Sequence, residues 1–127
     1  MSPLVATKAK DIRQRSFEYT LRAVKLYQHL QKLGDGAGWI LGKQFLRSAS
    51  SIGANVEEAQ AGESRSDFIH KLGIARKEAR ESLYRLRVLA GSNIVPPNRI
   101  QPLTEETEEL LSVITSIILK TKRNRET

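Results

Sequence analysis

Apolar residues recur three and four positions apart through most of the chain, and clusters of Gly or Pro break the pattern at three places. That period belongs to an α-helix buried on one face. No stretch alternates polar and apolar residues between turn signals, so the pattern predicts four helices and no strand. The first helix is predicted over about 8–33, a run without Pro or Gly that ends at Gly34-Asp35-Gly36-Ala37-Gly38. The second, over about 37–61, carries Leu41, Phe45, Ser48, Ile52, Val56 and Ala59 on one face, and small Ser48, Ala49 and Ala59 admit a close neighbour. Ser64 with Asp67 three residues later resembles a capping box and starts the third helix, over about 64–90, with core positions Phe68, Leu72, Ala75, Ala79, Leu83 and Leu86 and a stop at Gly91. Pro96, Pro97 and Pro102 mark the last connection. The fourth helix is predicted over about 103–123. Glu105, Glu106, Glu108 and Glu109 lie near its start and Lys120, Lys122 and Arg123 near its end, both favourable to the macrodipole. Its stripe is Leu103, Leu110, Ile114, Ile117 and Thr121. Short connections make sequential helices antiparallel, so the expected fold is all-α: one up-down-up-down four-helix bundle domain spanning 1–127.

Two helices carry more apolar surface than one core needs. On the first, Phe17, Leu21 and Val24 are assigned to the core, and a second stripe of Tyr19, Ala23, Leu26 and Leu30 lies well round the helix. On the third, Ile74, Tyr84 and Val88 lie opposite the core stripe. A helix apolar on two faces has two partners, so these seven residues are the expected interface of a homo-oligomer. The alternative is an irregular bundle in which helices one and three are central and bury both stripes within one protomer.

Composition narrows the class further. The 127 residues are 39% hydrophobic and 28% charged, the balance of an ordinary globular domain. There is no Cys, which excludes disulfides, thiolate metal sites and a Cys nucleophile and favours a reducing compartment. Residues 1–7 show no apolar run after basic residues, and no stretch is long enough to span a bilayer, so a cytoplasmic protein without a membrane partner is expected. The net charge of +7 suits a polyanionic partner, RNA or DNA, without specifying one.

The stretch from Gln44 through Ala59, with Ser64 to Ile69 and Ile74-Ala75, resembles the bacterial four helix bundle protein family, also called ribosomal-RNA intervening-sequence proteins. The likeness extends over roughly Phe17 to Leu119. In the second helix Gln44, Arg47, Ala49, Ser51, Ile52, Asn55 and Glu58 match the family pattern, whereas Glu57 replaces a small residue and Ala59 a Gly. The resemblance implies a homo-oligomer, commonly a five-membered ring around a channel, and no catalytic activity. A relative in diversity-generating retroelements binds nucleic acid and a reverse transcriptase.

Gln44, Arg47, Ser51, Asn55 and Glu58 are spaced by three or four residues and form one polar stripe. Such a stripe is either a site or an interhelical network whose members satisfy one another. In an antiparallel pair reversing near Gly62, Arg47 lies level with Glu78 and one turn from Glu81, which predicts an ion pair to one of these acids. Arg76, Arg80 and Arg87 make a basic line on the third helix, and Lys120, Lys122, Arg123 and Arg125 a second cluster. Both are candidate phosphate contacts, and both also read as solvated charge. His29 and His70 lack ligand partners at helical spacing, and no nucleophile, base and orienting group converge in a motif, so no metal, cofactor or catalytic residue is assigned. Two functions remain: a non-catalytic oligomeric adaptor that binds nucleic acid, RNA first, or a scaffold for a protein partner.

Overall fold

The computed structural model describes the backbone of residues 3–126 and the side chains of residues 12–124. The side chain of Arg125 and those of the leading residues 1–7 lie outside this range. Helix α1 spans Pro3–Leu33, α2 Gly36–Gln60, α3 Arg65–Gly91 and α4 Pro97–Glu126. Helices adjacent in sequence pack side by side, α1 closes against α4, and the backbones of the diagonal pairs stay apart among the described residues. Connections of two to five residues leave no room for a crossover, so the chain reverses at each one.

The connections follow local chemistry. Gly34 takes φ 72°, a left-handed position that costs a residue with a Cβ more, and closes α1. Asp35 then caps α2, accepting a hydrogen bond from the Gly38 amide at 2.8 Å. Ser64 caps α3 by accepting from the Asp67 amide at 3.1 Å. At the far end of α3 the expected stop shifts: Gly91 is still helical, and the left-handed position falls two residues later on Asn93, at φ 59°. Asn tolerates that conformation better than most residues.

Two helices begin earlier than the sequence pattern implies. Helix α1 starts at Pro3 rather than near Lys8, because Pro at a first helical position is preset in φ and needs no donor. Helix α4 starts at Pro97 rather than Leu103 and runs through Pro102. The lost backbone bond there is offset by burial of Ile100 and Leu103, whose side chains help close the core at this end with Val95.

The core stripe of α1 is the reverse of the expected one. Ile12, Ser16, Tyr19, Ala23 and Leu30 are buried, whereas Phe17 and Leu21 are 57% and 48% exposed. Spacing alone makes the two faces nearly equivalent, and packing separates them. The buried face presents Ser16 and Ala23, and α2 meets it with Gly42, Ala49 and Gly53. A Cβ at Gly53 would stand 3.3 Å from the Ser16 carbonyl oxygen. Small residues on both sides bring the axes close, which a face bearing Phe17 does not permit.

Candidate functional site

Halfway along the bundle, one hydroxyl from each helix reaches the centre. Tyr19 of α1 and Thr107 of α4 share a hydrogen bond of 2.5 Å, and Thr107 also donates to the Leu103 carbonyl at 2.6 Å. Ser48 of α2 and Ser82 of α3 bond at 2.9 Å, and Ser82 also reaches the Tyr19 hydroxyl. All four side chains are buried, and the Tyr19 ring meets Phe45 edge-on at 6.2 Å between centroids. Burial pushes the Tyr19 hydroxyl from 10.0 up to about 12, against the opposing effect of its bonds to Thr107 and Ser82. Such a layer satisfies its own polar atoms and specifies helix register.

This layer corrects the interface expected from the sequence. Tyr19, Ala23 and Leu30 are core residues of the protomer and offer nothing to a second copy. Leu26, Ile74 and Val88 are half-buried, and of the seven only Tyr84 is exposed, at 56%. The sequence signal for the layer was weak: Ser48 read simply as a small residue and Tyr19 as apolar, and nothing in the spacing singled out Ser82 or Thr107.

The polar stripe of α2 divides. Arg47 pairs across to Glu81 and, at 3.5 Å, to Glu78, while Arg85 reaches Glu81 from the same helix at 3.5 Å. Desolvation raises Glu78 above the usual carboxylate range, helped by its hydrogen bond with Glu81. Burial alone would raise Glu81 as well, but the bond from Glu78 and the Arg47 guanidinium hold it low. One acid of the pair thus keeps its proton more readily. Asn55 turns inward on its own helix, donating to the Ser51 carbonyl at 2.8 Å and the Ser51 hydroxyl at 3.3 Å. The side chains of Gln44 and Glu58 join no hydrogen bond among the described residues, so the interhelical part of the network is Arg47, Glu78, Glu81 and Arg85.

Because Arg47 is 57% exposed, its pairs are screened by water. A double-mutant cycle of Arg47→Ala and Glu78→Gln, read from urea midpoints, is expected to give a coupling of about 1 kcal/mol. A coupling of zero would show that the pair contributes nothing.

On the outer surfaces, Arg80 and Arg87 line a groove between α3 and α4 together with Leu83, Tyr84, Thr104 and Glu108, with a volume of about 420 Å³. Arg76 is half-buried one turn further along the same flank. The C-terminal cations Lys120, Lys122 and Arg123 are exposed, but the antiparallel register that sets Arg80 beside Glu108 puts Lys120 level with Phe68. By helical rise that is about 18 Å from Arg80, so the two basic clusters are separate. At the end of the bundle where α1 meets α2, Leu33, Trp39 and Ile40 are exposed, Lys43 lies 4.2 Å over the Trp39 ring, and Trp39 donates to the Tyr27 hydroxyl. Among the described residues no three His, Cys, Asp or Glu side chains converge as metal ligands, and no helix is long and apolar enough to cross a membrane.

These features define an all-α bundle whose four central hydroxyls bond to one another and whose distinguishing chemistry lies on its outer helix faces. The chain belongs to the 23S rRNA-intervening sequence protein family, whose model matches residues 8–116. It is also similar to a crystal structure of a protein of unknown function from the S23 ribosomal protein family of Bacteroides thetaiotaomicron. The two are 36% identical, the match covers 87% of this chain and 97% of that one, and the TM-score is 0.81. No curated protein matches the chain. Neither the family description nor the name of that structure states a catalytic activity.

Proposed function

We propose that this protein is a non-catalytic, cytoplasmic accessory factor that acts as a homo-oligomer and binds RNA through phosphate contacts. The observation that carries the nucleic-acid reading is the arginine line on α3, with Arg80 and Arg87 on the rim of an open groove in a chain of net charge +7. Cations on one shared face are what phosphate binding requires. Self-association is supported by Phe17 and Leu21, two large apolar side chains exposed one turn apart on α1. A ring of five is the form that family resemblance implies.

A mobility-shift assay with single-stranded RNA across a salt series tests the binding. The pair Arg80→Glu and Arg87→Glu is expected to weaken it at least about tenfold and to reduce the salt slope by roughly two. No retardation of RNA by the wild type at low salt would remove the reading. Light scattering tests assembly: the mass is expected near five times 14.3 kDa, falling to 14.3 kDa for Phe17→Glu with Leu21→Glu. A wild type already at that lower mass overturns it.

The exposed Leu33, Trp39 and Ile40 favour a second reading, a scaffold that docks a protein partner at this end of the bundle. RNA binding that fails while a partner is captured through Trp39 would decide for it.

A further inference from the structure

Between the two rim arginines of α3 stands an aromatic ring. Arg80, Tyr84 and Arg87 are four and three residues apart, so they line one strip of the helix about 10 Å long, cation, ring, cation. Tyr84 is 56% exposed and lines the groove, while the core face of α3 is filled by Leu72, Ala75, Ala79, Ser82, Leu86 and Leu89. Its hydroxyl makes no hydrogen bond among the described residues, so no polar bond turns this half-exposed ring away from the groove. The Arg85 guanidinium lies 5.7 Å from the ring centroid, adding a third cation beside the aromatic.

Cations flanking an exposed ring answer the two chemistries of an unpaired strand, phosphates on its backbone and flat faces on its bases. A duplex supplies the same phosphates but keeps its base faces stacked inside. Building on the RNA-binding reading above, we propose that the α3–α4 groove selects single-stranded nucleic acid, with one base stacked on Tyr84 and the flanking phosphates on Arg80 and Arg87. The acid on the opposite wall fixes the orientation. Glu108 repels a phosphate placed deep in the groove, so the backbone follows the α3 rim. The base then points toward Thr104 and Glu108, which offer hydrogen-bonding groups to its edge.

Fluorescence anisotropy with three labelled probes of equal length tests this: a mixed-sequence single-stranded RNA, its duplex, and an abasic strand with the same phosphates. The single strand is expected to bind about tenfold tighter than the abasic strand. Tyr84→Ala should remove that advantage without changing the salt slope, and Tyr84→Phe, which keeps the ring, should retain it. Because Tyr84 is exposed, both variants should melt like the wild type. If all three probes bind alike, or if Tyr84→Ala leaves the single-strand affinity intact, stacking is wrong and the phosphate reading survives on the arginines. If no probe binds at low salt, both readings fail. A change of assembly mass in Tyr84→Ala would instead assign the ring to contact with another copy and overturn the proposal.

Discussion

Replacing Tyr19 with Ala is expected to lower stability by about 3–5 kcal/mol, the range for deleting a buried aromatic ring. The ring is 1% exposed and packs edge-on against Phe45, so its removal leaves a cavity between α1, α2 and α4. It also deprives Thr107 of its 2.5 Å partner and breaks the link to Ser82. In a chain of this size the melting temperature should fall by roughly 10–20 °C. Tyr19→Phe separates the two contributions. It keeps the ring and loses the hydroxyl, and the expected cost is about 1 kcal/mol, since Thr107 still donates to the Leu103 carbonyl. Urea and thermal unfolding of both variants check this. Equal losses in the two would mean that the hydroxyl layer, and not the ring, carries the stability.

Alkaline destabilisation should be steep and should depend on the same residue. Burial raises Tyr19 from 10.0 to about 12, so the folded chain keeps the phenolic proton over a range where the unfolded chain has released it. The unfolded state then binds fewer protons, and stability falls as pH rises. The contribution is fully present below pH 10 and is lost by about pH 12. Two units at about 1.4 kcal/mol each make roughly 3 kcal/mol. Urea midpoints of wild type and Tyr19→Phe from pH 9 to 12 isolate it, because the other titrating groups are common to both. The variant, weaker at neutral pH, should become the more stable of the two near about pH 11. Parallel stability curves would show that the phenol ionises freely in the folded state.

One cap and one ion pair fell where one-dimensional spacing placed them, whereas Glu105, Glu106, Glu108 and Glu109, expected near the start of the last helix, lie inside α4 because it begins at Pro97. Ser64 caps α3, and Arg47 lies against the two acids that the antiparallel register sets beside it. These are short-range or register relations, and a helix of known pitch converts sequence separation into position. Legibility ended where two faces competed. On α1 the stripe Phe17, Leu21 and Val24 was as apolar as the one holding Tyr19, yet Phe17 and Leu21 face outward, Phe17 at 57% exposure, and Val24 is only half-buried. Tyr84 was assigned to a protein interface for its apolar ring, and only the packing of α3 on α4 placed it in one groove with Arg80, Arg87 and Glu108.

What the sequence by itself determined, then, is four helices, the Ser64 cap of α3 and the antiparallel order, because spacing, Gly and Pro punctuation and short connections act locally. The buried stripes of α2, α3 and α4 were legible as well, through Phe45, Ile52 and Val56, Leu72 and Leu86, and Leu110 and Ile114, whereas tertiary structure alone decided which face of α1 is buried. That choice depends on how close two axes approach, which Gly42 and Gly53 of α2 set against Leu30 and Ser16 of α1. The same choice brought four distant hydroxyls into one layer and left Phe17, Leu21 and Tyr84 outside. A hydroxyl or a ring has no partner until packing supplies one.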